Sequence, residues 1–158
     1  MVSRGGDGRG PESYWLLPGR LMGGEWPAPH LDWLESRGIT VLINLTGRRY
    51  RDDRFRIHDI PVSDGAAPDE AQIGQFCRLV RREVTAKNAV YAHCLAGCGR
   101  TGTMMACYLV YRYRREPHAA MERIRGMRPC SIETSAQEEA VSRWALLMRA
   151  TNYRLAPT

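Results

Sequence analysis

Apolar and polar positions along this 158-residue chain follow two rhythms. Short runs rich in β-branched and aromatic residues fall at 13–16, 20–22, 40–45, 56–62 and 89–93, mostly closed by Pro, Gly or polar residues, and they predict strands. Between them, residues 29–37 read as a short helix. Residues 68–85 read as a longer one that sets Ile73, Phe76, Cys77, Val80 and Val84 on a single face. After the last strand the rhythm becomes helical over 100–115, 117–126 and 134–151. The last of these opens with Thr134 and Gln137 in capping-box spacing and carries Val141, Trp144, Ala145 and Met148 as its apolar stripe. Strands alternating with helices early, and helices clustered late, predict a single-domain α/β fold with a central four- to five-stranded sheet flanked by helices on both faces.

The length suits one domain whose core needs no metal or disulfide to support it. Hydrophobic residues at 44% and charged residues at 25% match a soluble globular chain, and no apolar run is long enough to span a membrane. The Gly- and Arg-rich start lacks the apolar stretch of a secretory signal. Residues 1–12 are expected to be disordered, 13–151 to form the folded unit and 152–158 a tail. The formal charge of +6 comes almost wholly from arginine, Lys87 being the only lysine, and it suits anionic partners; a single arginine is nevertheless more often a solvated surface charge. Five cysteines, Cys77, Cys94, Cys98, Cys107 and Cys130, form no disulfide framework, which points to a reducing compartment, cytoplasmic or nuclear. Cys77 and Cys107 lie on apolar helix faces and read as small buried hydrophobes. The four histidines lie in unrelated contexts without ligand spacing, so neither a metal nor another cofactor is expected.

The chemistry concentrates in residues 89–102, a buried strand ending in His93-Cys94, a Gly-containing turn, and an apolar helix beginning near Arg100. In strand, tight loop and helix, the backbone N–H groups of residues 95–100 can converge on one anion, with the positive end of the helix dipole behind them. A thiol in such a field has its pKa brought from about 8.5 to ~4–7, so Cys94 is expected to be a thiolate nucleophile. Arg100, six residues on, brings a planar fork over the anion to bind two oxygens at once. Thr101 is expected to donate its hydroxyl to the sulfur, and His93 to order the loop from behind. Attack on a phosphate ester gives a phosphocysteine and needs an acid on the leaving-group side. Asp64, in the Pro- and Gly-bearing loop 60–68, is the candidate acid, and then the base for hydrolysis. Cys98 is close enough in sequence to pair with Cys94 in a reversible disulfide under oxidation.

The motif His-Cys-x-x-Gly-x-x-Arg-Thr-Gly at 93–102 resembles the signature of the protein tyrosine phosphatase superfamily. More narrowly, the chain is similar to the small atypical dual-specificity phosphatases of the VHZ type, through residues 14–21, Ile60-Pro-x-x-Asp64, 99–104 and 128–134. The resemblance implies a cysteine-phosphatase fold with Cys94 as nucleophile, Arg100 as clamp and Asp64 as acid. Residues Leu95, Ala96, Gly97, Cys98 and Gly99 are then the binding loop. Glu133 and Gln137 match a late segment that lies near the pocket in such enzymes, with a cap and surface role as the competing reading. The segment 47–53 is expected to be a variable surface loop whose arginines attract acidic substrate, beside a shallow pocket. The activity implied is hydrolysis of phosphotyrosine, and of phosphoserine or phosphothreonine, on protein substrates by a monomer. Alternatives left open are an RNA 5′-triphosphatase, a phosphoinositide phosphatase, and a catalytically dead phosphate-binding module.

Overall fold

A computed structural model describes residues 8–152. Five strands, β1 (Ser13–Leu17), β2 (Leu21–Gly24), β3 (Ile39–Asn44), β4 (Arg56–Asp59) and β5 (Ala89–His93), make one mixed sheet in the order β1-β2-β5-β3-β4. Only the β1–β2 pair is antiparallel. Central β5 is buried at every position, sending Val90 and Ala92 into one core and Ala89 and Tyr91 into the other. A strand covered on both faces needs no polar alternation, which is why it reads as a continuous apolar run.

The helices are α1 (Leu31–Ser36), entered through a single 3-10 turn at Ala28–His30, α2 (Glu70–Thr85), α3 (Gly99–Tyr113), α4 (Pro117–Met127) and α5 (Ser135–Ala150). α2 through α5 cover one face of the sheet, while Leu34 of α1 and Phe55 pack against the other. Every residue of α3 from Gly99 to Tyr111 is buried, because sheet and helices enclose it on all sides. α5 carries the capping box expected of Thr134 and Gln137, and α2 has a second one, Asp69 with Gln72. The stripe Val141, Trp144, Ala145 and Met148 is buried as patterned.

Two strand ends differ from the pattern by two residues or more. β4 stops at Asp59 instead of residue 62: Ile60 and Val62 still donate to the carbonyls of Asn44 and Leu45, at 2.9 and 3.0 Å, but Pro61 between them has no N–H for a ladder. β2 extends to Gly24 because a neighbouring strand, not propensity, holds the glycine pair Gly23-Gly24. The disorder expected over residues 1–12 falls outside the described residues only for 1–7. Residues 10–12 are packed: a Cβ on Gly10 would strike the Trp33 ring, Pro11 is buried, and Glu12 O accepts from Glu25 N at 3.0 Å. Of the expected tail only Asn152 is described. Among the described residues no helix is long and apolar enough to cross a membrane.

Candidate active site

β5 ends at His93, in register with Asn44 of β3 and Gly24 of β2, and the chain then turns through residues 94–98 into α3. This puts Cys94 at the carboxyl edge of the parallel strands, where open α/β sheets leave a crevice. The carbonyls of this turn are all engaged from outside it. Cys94 O accepts from His93 Nδ1 at 3.2 Å, Leu95 O from Trp26 N at 2.8 Å, Ala96 O from Arg128 Nη2 at 2.7 Å and Gly97 O from Arg128 Nε at 3.2 Å. Cys98 O accepts from Gly102 N at 2.9 Å and from Ile132 N at 3.3 Å. A planar trans peptide points its N–H opposite to its carbonyl, so outward carbonyls turn the amides of residues 95–99 inward, toward Cys94 and the α3 N-terminus.

That turn is possible because of one close approach. Gly97 has φ 73 and sits so near the Gly24–Glu25 backbone that a Cβ would collide with it. Arg128, which holds two of the loop's carbonyls, escaped the sequence reading as a functional residue. Its only signal is its place before Pro129 at the end of a helix, within the segment that carries the resemblance.

Behind the loop, His93 is fully buried. Its Nδ1 faces a carbonyl, which can only accept, so that nitrogen carries the hydrogen and Nε2 accepts from the Tyr50 hydroxyl at 2.6 Å. Burial draws the imidazole pKa down to about 4, so the ring is neutral. Trp26 meets both the Tyr50 and His93 rings edge-on. Segment 47–53 is mostly exposed, Arg48, Arg49 and Arg51 included, as expected of a surface loop, but half-buried Tyr50 turns inward as part of the support for the Cys94 loop. Buried Asn44 fixes that segment, its Nδ2 donating to Arg48 O at 2.6 Å and to Asp59 Oδ1 at 3.0 Å while its Oδ1 accepts from Thr46.

In front of the loop, a cavity of about 170 Å³ is lined by Asp64, Gly65, Cys94, Leu95, Ala96, Gly99, Arg100, Glu133 and Gln137. Arg100 is buried, its Nη1 donating to Val62 O at 2.9 Å and its Nη2 lying 3.4 Å from Asp64 Oδ1. One backbone carbonyl thus aims the fork, and Asp64, with 84% of its side chain exposed, leans over the opening. Gln137 is buried and makes three ties: its Oε1 accepts from Glu133 N and Thr134 N at 2.8 and 3.2 Å, and its Nε2 donates to Ala66 O at 3.2 Å. It therefore caps α5 and holds the Asp64 loop at the same time. All the residues singled out from the sequence meet at this site, with His93 and Thr101 beneath it.

Two expectations fail in detail. The Thr101 hydroxyl is buried without a hydrogen-bond partner; the side chain's methyl faces Gly23 of β2. Cys98 is bonded to Cys130, not to Cys94, and Cys94 is a free thiol alongside Cys77 and Cys107. The two bonded cysteines lie 32 positions apart in sequence, across α3 and α4, and only the return of the chain after α4 to the loop brings them together.

A family profile described as "Swiss Army Knife protein, DSP-PTPase phosphatase domain" matches residues 11–141. The chain belongs to this DSP-PTPase family. Among its relatives, mouse (Mus musculus) "Dual specificity protein phosphatase CDC14B" is 30% identical over an alignment of 132 residues that covers 80% of this chain and 27% of that protein. The chain spans less than a third of the length of these curated relatives. Solved structures share the fold: a mutant form of Tk-PTP aligns with a TM-score of 0.80 at 23% identity, over 88% of this chain and 97% of that one. DUSP15 aligns with a TM-score of 0.79 at 20% identity, over 94% and 100%.

Proposed function

We propose that residues 13–151 form a catalytic domain that hydrolyses phosphate monoesters on proteins, phosphotyrosine first and phosphoserine or phosphothreonine with it, through a phosphocysteine on Cys94. The observation that carries this reading is the outward hold on every carbonyl from Cys94 to Cys98, which leaves the loop's amides and the Arg100 fork converging beside one free thiol. Such preorganised donors stabilise the charge of a phosphoryl group in transfer without having to reorganise at the moment of reaction.

The Cys94 thiolate attacks phosphorus, the ester oxygen leaves, and Asp64 gives that oxygen a proton. Water then attacks the phosphocysteine, Asp64 takes a proton from it, and orthophosphate and the thiolate are released. Glu133 and Gln137 line the same cavity as Cys94 and Asp64, which supports a role for them in orienting that water. The lining also supports a monoester over a polyanion: Arg100 is its one cation, against the carboxylates of Asp64 and Glu133, so triphosphorylated RNA ends and inositol polyphosphates would meet repulsion. The location is proposed as cytoplasmic or nuclear, where Cys77, Cys94 and Cys107 stay reduced and the Cys98–Cys130 bond, not expected from the sequence, is exposed to reductants, and the domain is proposed to act as a monomer.

The test is hydrolysis of a small aryl phosphate near pH 6, followed by a panel of phosphotyrosine peptide, phosphothreonine peptide, triphosphorylated RNA and inositol phosphates. Cys94→Ser and Arg100→Ala should abolish turnover, and Asp64→Asn should slow it by roughly 10²-fold or more. Turnover surviving in Cys94→Ser would refute the mechanism. A large preference for RNA or inositol phosphates would refute the substrate class.

A further inference from the structure

Cys98 lies inside the phosphate-binding loop, and its bond to Cys130 is one of several ties made by a single short segment. Residues 128–132 hold three successive loop carbonyls: Arg128 donates to Ala96 O and Gly97 O at 2.7 and 3.2 Å, and Ile132 N donates to Cys98 O at 3.3 Å. Each tie points an amide of the loop inward, so the shape of the segment sets the shape of the anion site.

The segment is held against its own preference. Ile132 has φ 61, a left-handed conformation that β-branched residues avoid unless their surroundings impose it. Here the surroundings do impose it: Ile132 is buried, its carbonyl accepts from Arg125 Nη2 at 2.7 Å, and the Ser131 carbonyl accepts from Arg125 Nε at 3.0 Å. The covalent bond sits two residues earlier, and Glu133 of the cavity wall comes directly after.

We propose that the Cys98–Cys130 disulfide is a positioning element of the site, clamping segment 128–133 onto the loop in its phosphate-binding shape, so that opening the bond loosens the grip on phosphate. The proposal rests on the phosphatase reading above. Cys130 is exposed while Cys98 is buried, so a reducing thiolate reaches the bond at the Cys130 sulfur. A dithiol supplies two electrons and two protons; the S–S bond breaks, Cys98 and Cys130 become thiols, and the reductant closes into its own cyclic disulfide. Cys94 takes no part in the exchange, so the effect falls on binding and orientation, not on the nucleophile. In a reducing compartment a bond of this kind responds to redox state.

The experiment is calorimetric binding of orthophosphate to the Cys94→Ser chain, before and after dithiothreitol, with urea denaturation in both states. Reduction should raise the dissociation constant by roughly 3- to 10-fold, the scale of losing a preorganised loop. Cys130→Ala in the same background should bind like the reduced form and ignore the reductant; if that variant does not fold, the comparison by reduction decides alone. In the chain with Cys94 intact, reduction should raise KM for the aryl phosphate more than it lowers kcat. Equal orthophosphate affinity in both redox states, even with a lower urea midpoint on reduction, would overturn the proposal and leave the bond a structural cross-link. Orthophosphate binding in neither state would remove the phosphatase reading along with it.

Discussion

His93 shows how a single buried residue supports the loop from behind. It passes hydrogen bonding from the Tyr50 hydroxyl to the Cys94 carbonyl and does so uncharged, because burial draws its pKa down to about 4. The unfolded imidazole has an ordinary value near 6.5, so below that pH the unfolded chain binds a proton that the folded chain refuses. The stability contributed is complete above pH 6.5 and is lost as pH falls toward 4, by up to about 3 kcal/mol. Urea midpoints should therefore drop between pH 7 and pH 4.5, and more steeply in the wild-type chain than in His93→Asn; identical slopes in the two proteins would show that His93 is not the group responsible. Cys94, Arg100 and Asp64, the proposed nucleophile, clamp and acid, were singled out in the sequence by residue type and spacing, and the fold brings all three to one cavity. Arg128 and Tyr50 were not, because an arginine that binds backbone carbonyls and a tyrosine that binds an imidazole carry no signature until the fold brings those partners to them.

At the scale of elements, the caps join stability to the site. The α5 capping box satisfies amides that the first helical turn would leave bare. Thr134→Ala should lower stability by about 1 kcal/mol with activity nearly unchanged. Gln137→Ala should cost a similar amount and in addition slow turnover by roughly 10-fold, since it also frees Ala66, two residues from Asp64, the proposed acid, and small displacements of such a group are expensive. Urea denaturation beside aryl phosphate kinetics checks both variants; matching activities would rule out the link between the α5 cap and the Asp64 loop. The elements themselves followed from periodicity, and their ends were misjudged where a neighbour decided them, as at Pro61 between two residues still bonded to β3 and at the glycine pair of β2 held by β5.

At the scale of the molecule, the loop depends on α3 staying where it is, and α3 is enclosed on all sides. Trp144 of α5 is fully buried and donates from Nε1 to Cys107 O of α3 at 3.2 Å. Trp144→Ala should cost about 3–5 kcal/mol through the cavity it opens, and it leaves a carbonyl without its indole partner. Thermal or urea unfolding measures this, and a cost below 1 kcal/mol would mean that α5 is not what holds α3. The chain by itself determined the α/β class, the order of strands and helices, and the identity of the chemical groups, because side-chain pattern and residue type act locally. Only the tertiary structure decided that Cys98 bonds Cys130 and not the nearer Cys94, that Tyr50 faces the loop, and that Arg128 braces it. Those are encounters between distant segments, and closeness along the chain does not measure closeness in space.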